Sequence, residues 1–210
     1  MAECLVDQGK VNSGLAVRLK ITLDDVTPQV MWRVEVPLSI RLDRLHLVMQ
    51  AAMGWENYHL WEFRVQGVGF GPPDPDDGFP GPLNAAKATL RLVLEDTGAK
   101  TLKYLYDFGD GWEHTVKVER ILDATPGLDL PILIAAHGAC PPEDVGGPPG
   151  YDEFRAAVAD PKHERHEEML EWRGPDFSAD DPDLDRINAD LATLAKRWAR
   201  KPTARRSAKR

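Results

Sequence analysis

The chain has 210 residues, of which 42% are hydrophobic and 29% charged, as expected for one globular domain with a packed core. No apolar run approaches the roughly twenty residues that a membrane-spanning helix needs. Residues 1–10 lack the charged-then-apolar pattern of a secretory signal, so we expect a cytoplasmic protein with no membrane partner. Its two cysteines, Cys4 and Cys140, exclude a disulfide framework and a paired-cysteine zinc site.

Charge is distributed unevenly along the chain. Residues 196–210 hold eight of the 26 basic residues and no acid, so residues 1–195 have 18 basic against 34 acidic residues and a formal charge of −16. An acidic body repels phosphate backbones, and any contact with nucleic acid would therefore need the C-terminal segment or bound cations.

Two alternating patterns open the chain. Residues 15–23 place apolar side chains on one face and charged ones on the other, and residues 30–36 repeat this period until Pro37. A period of two predicts half-buried strands.

A helix and a third strand follow. Apolar residues recur at helical spacing over 40–53, where Ser39 can cap the start and Gly54 can supply the left-handed stop. Residues 58–65 alternate again and predict a strand whose inward face carries His59.

The clearest hairpin in the sequence lies further on. Residues 67–82 are rich in Gly, Pro and Asp and predict an exposed loop, and 85–96 suits either a strand or a helix, of which we favour the helix. Residues 102–106 and 112–122 then form two strands joined by a tight turn, and the returning strand directs His114 inward.

The last third is irregular and then helical. Residues 126–150 are rich in proline and glycine and predict an irregular crossing. The predicted helices are 151–159, 163–172 and 184–199.

The order of the predicted elements indicates an α+β single domain. It has a twisted, mostly antiparallel sheet in ββαβ(α)ββ order, with helices on one side and C-terminal helices. We expect an N-terminal extension (1–14), this domain (15–199) and a basic disordered tail (200–210).

Four separated stretches stand out, 28–33, 45–60, 106–114 and 141–147, of which Asp107-Phe-Gly-Asp110 and Pro142-Glu-Asp144 are the most specific. Together they resemble the plasmid pRiA4b ORF-3-like family. The resemblance spans roughly 15–195 and implies one family-sized domain. Relatives of the family also occur as passenger proteins of insertion elements, which implies an accessory or interaction protein of mobile-element origin with a DNA or protein partner.

The hairpin carries the strongest chemical constellation. Asp107, Asp110 and His114 lie close together in any two-stranded hairpin, and an imidazole beside carboxylates suits acid–base catalysis or metal binding. The alternative is that the aspartates only serve the tight turn and that His114 bonds to one of them. Glu143 and Asp144 form a rigid acidic loop that suits a hard divalent cation, although Glu143 could equally pair with Arg33 or cap a helix.

Two further histidines complete a candidate divalent-metal site. His46 and His59 would each alone be ordinary core histidines. Together with the hairpin and loop groups they could form a site of nitrogen and oxygen ligands. The candidate ligands are His46, His59, Asp107, Asp110, His114, Glu143 and Asp144. The catalytic candidates are Asp107, Asp110, His114 and Glu143.

Two functions are compatible with these patterns. One is a non-catalytic interaction module with a polar groove, whose basic C-terminal residues touch DNA or only aid solubility. The other is a metal-dependent hydrolase or nuclease. The candidate nucleic-acid residues are Lys196, Arg197, Arg200, Lys201, Arg205 and Arg206.

Overall fold

Eight strands form one sheet in the computed structural model, which describes residues 14–73, 81–174 and 177–199. The strands are β1 (Leu15–Leu23), β2 (Met31–Pro37), β3 (Trp61–Val65), β4 (Val68–Gly71), β5 (Leu83–Asn84), β6 (Thr101–Tyr106), β7 (Trp112–Asp123) and β8 (Ile132–His137). Their spatial order is β5-β4-β3-β6-β7-β1-β2-β8. Every neighbouring pair is antiparallel except β4 and β5. The predicted α+β fold with a mostly antiparallel sheet is confirmed.

Five α-helices accompany the sheet in the described residues. They are α1 (Leu42–Met53), α2 (Leu90–Thr97), α3 (Gly147–Ala159), α4 (His166–Arg173) and α5 (Leu184–Trp198). Gly54 ends α1 in the left-handed region at φ 82°, as predicted. The predicted cap at Ser39 is wrong, because α1 begins after Arg41 and has no side-chain cap.

The two faces of the sheet differ as the alternating patterns require. Side chains such as Leu19, Val34 and Tyr104 are fully buried on the inner face and share one core with the apolar face of α1. The opposite face carries cross-strand ion pairs, Arg18 with Glu35 at 2.6 Å and Arg33 with Glu119 at 2.7 Å. Helices therefore cover the apolar face, while the other face is polar.

Two short strands lie where the sequence predicts irregular structure. β4 falls within the predicted loop 67–82 and β8 within the segment 126–150, while β5 lies between that loop and the predicted helix 85–96. β8 pairs with β2 at the edge of the sheet, follows Pro131 and shows no regular alternation of buried and exposed residues. An edge strand that is half-exposed on both faces leaves no period-two signal in the sequence.

Candidate metal centre

The first two groups of the site lie where two antiparallel strands meet. His59 stands just before β3, and Asp107 follows directly after β6. Trp61 pairs with Tyr106 in the sheet, and the Asp107 amide donates to the Leu60 carbonyl at 2.9 Å. The beginning of β3 and the end of β6 therefore bring His59 and Asp107 to the same edge.

Hydrogen bonds between backbone groups of the 141–147 loop and side chains outside it then fix the loop over that edge. The Gly146 amide donates to Asp110 Oδ2 at 3.0 Å, and the Trp55 indole donates to the Pro141 carbonyl at 2.9 Å. A Cβ on Gly147, whose φ is +68°, would come within 2.5 Å of the Asp110 carbonyl oxygen. The glycine thus permits a close backbone approach between the loop and the hairpin turn.

Three carboxylates surround the Nε2 atom of His59. The distances from this nitrogen are 3.1 Å to Asp144 Oδ1, 3.5 Å to Asp107 Oδ2 and 3.8 Å to Glu143 Oε2. One ligand atom from each of His59, Asp107 and Asp144 lies within 4.8 Å of the others. We call His59, Asp107, Glu143 and Asp144 the acidic cluster.

Each carboxylate of the acidic cluster uses its other oxygen to hold the fold. Asp107 Oδ1 accepts from the Gly109 amide at 2.9 Å. The same division of oxygens holds for the two loop acids. Glu143 Oε1 accepts from the Glu56 amide and the Tyr106 hydroxyl, and Asp144 Oδ2 accepts from the Tyr58 hydroxyl. One oxygen of each acid is therefore committed, and the second is directed towards His59.

Two of the three acids are largely removed from water. The side chains of Asp107 and Glu143 are only 10% and 11% exposed, whereas that of Asp144 is 60% exposed. His59 Nε2 and Glu143 Oε2 are buried without a hydrogen-bond partner. Burial raises the pKa of Glu143, and the Glu56 amide and Tyr106 hydroxyl partly offset this effect. Buried polar atoms without partners are unusual, and an ion at this point would satisfy them.

His114 points inward as predicted but lies apart from the acidic cluster. It is fully buried, pairs with Tyr104 across the sheet, and its Nδ1 lies 3.3 Å from the Tyr104 carbonyl oxygen. Its ring meets the Trp55 ring edge to face at 5.6 Å. Burial lowers the pKa of His114 to about 4. We therefore correct the sequence-based ligand and catalytic sets by removing His114, because aromatic rings enclose it.

His46 is likewise a core histidine. Its Nδ1 lies 2.7 Å from the Tyr104 hydroxyl, its Nε2 contacts Asn57 Oδ1, and its ring stacks on Trp61 at 4.1 Å. Both nitrogens are engaged, so His46 does not belong to the ligand set. Asp110 also leaves that set, because the ligand atoms that lie within 4.8 Å of one another come from His59, Asp107 and Asp144, while Asp110 Oδ2 accepts from the Gly146 amide.

Sequence reasoning missed the two tyrosines that orient the loop acids. Tyr58 and Tyr106 were indistinguishable from other aromatic residues, because only the tertiary structure shows where their hydroxyls end. The suggested pairing of Glu143 with Arg33 is wrong, since Arg33 binds Glu119.

Comparison with known proteins places the chain in a family. The model of the family described as plasmid pRiA4b ORF-3-like protein matches residues 15–186. The chain belongs to this family. It is 56% identical over 186 residues to the uncharacterized protein y4hQ of Sinorhizobium fredii, covering 88% of this chain and 95% of that one. It also resembles the crystal structure of MM3350 of Methanosarcina mazei Go1, a protein of unknown function, with 33% identity, a TM-score of 0.74 and coverage of 84% and 97% of the two chains.

The basic C-terminal candidates of this pRiA4b ORF-3-like chain lie far from the hairpin in sequence. Lys196 and Arg197 are exposed in the last turn of α5. Arg200, Lys201, Arg205 and Arg206 lie outside the described residues. Among the helices that the structure describes, none has the length and apolar character to cross a membrane.

Proposed function

We propose that this protein is a metal-dependent hydrolase that holds a divalent cation between His59, Asp107 and Asp144. The observation that supports this most is the buried Nε2 of His59, which has no hydrogen-bond partner and faces the second oxygen of three carboxylates. A turn or a structural ion pair would not require three acids to be directed at one imidazole nitrogen.

The spacing of the facing atoms suits a cation. Zinc binds nitrogen and oxygen ligands at about 2.0–2.2 Å, so the ligand atoms of a tetrahedral site lie roughly 3.3–3.6 Å apart. The separations of 3.1 Å for Asp144 and 3.5 Å for Asp107 from His59 Nε2 are close to this range. Imidazole with carboxylates accommodates zinc or manganese.

Glu143 is the group that we assign to proton transfer. Its Oε2 lies 3.8 Å from His59 Nε2 and is buried without a partner, while its other oxygen is fixed by two hydrogen bonds. A divalent cation lowers the pKa of a bound water, and a carboxylate whose own pKa is raised by burial suits the general base that accepts the proton. The water oxygen would attack the substrate, and the leaving group would receive the proton from Glu143.

A metal titration of the purified protein tests this proposal. Calorimetry with Zn²⁺ and with Mn²⁺, after chelator treatment and dialysis, should show one site per chain. The variant Asp107→Asn should weaken binding by at least about 100-fold, because loss of a direct ligand exceeds the 10- to 100-fold effect of outer groups. Asparagine tolerates the φ of 53° at position 107 and retains an acceptor for the Gly109 amide, so the fold should persist.

Matched controls separate ligand loss from general effects. Asp25 also has a positive φ, of 59°, and is exposed outside the acidic cluster, so Asp25→Asn should bind metal as the wild type does. His59→Ala should also weaken metal binding, and its control is His137→Ala, because His137 is exposed at the end of β8. Absence of binding by the wild type, or equal affinities of the wild type and Asp107→Asn for both ions, would refute the proposal.

A second candidate function is DNA binding through the C-terminal segment. It is supported by the exposed Lys196 and Arg197, which lead into the basic residues 200–210. Fluorescence anisotropy with duplex DNA at 50 and 200 mM salt should then show an affinity that falls with salt and with deletion of residues 200–210. An affinity that responds to neither change would rule this function out.

A further inference from the structure

A cavity of about 440 Å³ opens beside the acidic cluster. It lies between the segment after α1, the 141–144 loop and the end of α4. Glu143 and Asp144 of the acidic cluster line it together with Tyr58, Trp172 and Arg173, whereas His59 and Asp107 do not, so the cavity meets the proposed metal site at the Asp144 side. The volume lies within the range of about 300–1,000 Å³ that is typical of small-ligand sites.

Two aromatic side chains at this cavity are unusually exposed. Tyr58 is 55% exposed and Trp172 is 48% exposed, whereas Trp55, which also lines the cavity, is buried. Trp172 is held by an edge contact with Phe154 at 5.8 Å. Flat aromatic faces that remain accessible at a polar cavity suit the stacking of a planar ring.

One arginine faces the same space from the last turn of α4. Arg173 lines this cavity and also an adjoining cavity of about 420 Å³. Arg186 lines the adjoining cavity as well, but its guanidinium donates to the Ala51 carbonyl and to Asp190. Arg173 is exposed, and its guanidinium lies over the Phe177 ring at 5.7 Å, a stacking contact that leaves its N–H groups open to an anionic ligand.

We propose that this cavity binds a nucleotide-sized phosphate ester, with its phosphate between Arg173 and the metal and its base against Trp172 or Tyr58. This inference rests on the proposed metal site and specifies the substrate class of the proposed hydrolase. Without a cation, Glu143 and Asp144 would repel a phosphate at the same cavity. Phosphate binding must therefore depend on the divalent ion.

The charge of the protein favours a small phosphate ester over a long polyanion. Residues 1–195 hold 34 acidic against 18 basic residues, so a nucleic acid that extends across this surface meets repulsion. A single nucleotide needs only Arg173, one cation and a ring surface. A phosphotyrosine peptide offers a similar ring and phosphate, and it is therefore titrated for comparison with the nucleotide.

Titration of adenosine 5′-monophosphate onto the full-length protein tests the inference. Binding is followed by calorimetry with saturating Mn²⁺ and with EDTA, and adenosine and ribose 5-phosphate are titrated for comparison. We expect the nucleotide to bind only with Mn²⁺, and the two fragments to bind at least about ten-fold more weakly, since each lacks one recognised part.

Variants assign the two recognition groups. Arg173→Gln should weaken nucleotide binding about ten-fold and leave Mn²⁺ affinity unchanged, because the arginine contacts only the phosphate. Trp172→Ala should weaken it by a similar factor, and Trp172→Phe should restore most of the loss because it keeps a ring. Arg64 is exposed on β3 and does not line the cavity, so Arg64→Gln should bind as the wild type does.

The outcomes distinguish this inference from the proposed function. Failure of both Mn²⁺ and Zn²⁺ to bind the wild type would refute both. Normal Mn²⁺ binding without nucleotide binding, or nucleotide binding that Arg173→Gln leaves unchanged, would refute the nucleotide inference alone. Tighter binding of a phosphotyrosine peptide than of the nucleotide would also overturn it, in favour of a peptide substrate.

Discussion

Acid should destabilise this protein well above the pH at which its carboxylates are protonated. Burial lowers the pKa of His114 and of His46 from 6.5 to about 4. Between pH 4 and 6.5 each histidine is therefore protonated in the unfolded chain and neutral in the folded one. The unfolded state binds more protons in this window, so the free energy of unfolding must fall as the pH falls below 6.5.

The magnitude follows from the size of the pKa shifts. Each histidine contributes a slope of about 1.4 kcal/mol per pH unit within the window. From pH 6.5 to pH 5 the two together should remove about 3 kcal/mol of unfolding free energy, because the unfolded histidines are only half protonated at pH 6.5. His114 should contribute fully, because it is completely buried and its Nε2 has no partner.

Urea unfolding at several pH values between 5 and 7, in EDTA to exclude metal effects, measures this slope. The variant His114→Phe retains a ring among Trp55 and Tyr104 but cannot titrate, so its mean slope over pH 5–7 should be shallower by about 1 kcal/mol per pH unit. The raised pKa of Glu143 changes the pH slope of the unfolding free energy in the opposite direction. It does so equally in the wild type and in His114→Phe, so its effect cancels when the two slopes are subtracted. Identical slopes in wild type and variant would refute the reasoning.

Two stability comparisons probe how the 141–147 loop is held. Gly147→Ala combines a φ of +68° with a backbone clash, whereas Gly127→Ala has a φ of +79° and open space. Urea unfolding should therefore show a loss about 1–3 kcal/mol larger for Gly147→Ala, and equal losses would contradict the close approach. Tyr106→Phe should lose about 1.5–3 kcal/mol at pH 7, because its hydroxyl donates to the Glu143 carboxylate. Tyr151→Phe removes a hydrogen bond to a neutral carbonyl and should lose only about 0.5–1.5 kcal/mol. A larger loss for Tyr151→Phe than for Tyr106→Phe would contradict this reasoning.

The long elements of the fold could be predicted because burial on one face imposes a period on the sequence. β1, β2 and β7 each alternate between the core and the ion-paired face, and α5 shows the three-and-four spacing of an amphipathic helix. β8 could not be found in this way, because an edge strand has no fully buried face. The cap of α1 was misplaced because Ser39 is a common capping residue, whereas the helix begins three residues later.

The candidate site could be predicted only in part, because periodicity indicates which face a side chain takes but not which group it meets. His114 satisfied every local criterion, yet it lies opposite Tyr104, within the aromatic core. His59 was indistinguishable from a core histidine until the pairing of β3 with β6 placed it beside Asp107. The approach of Glu143 depends on contacts between residues more than thirty positions apart, such as Asp110 with Gly146.

In each carboxylate of the acidic cluster, one oxygen holds the fold and the other faces His59. This division favours a metal site over a purely structural role at this edge of the sheet. Turn geometry accounts for Asp107 Oδ1, and loop docking accounts for one oxygen each of Glu143 and Asp144. Neither accounts for the remaining oxygens, which face one buried imidazole nitrogen that no other group satisfies. Fixing one oxygen of each acid orients the other without consuming it, which is the arrangement that holds metal ligands in position before the ion arrives.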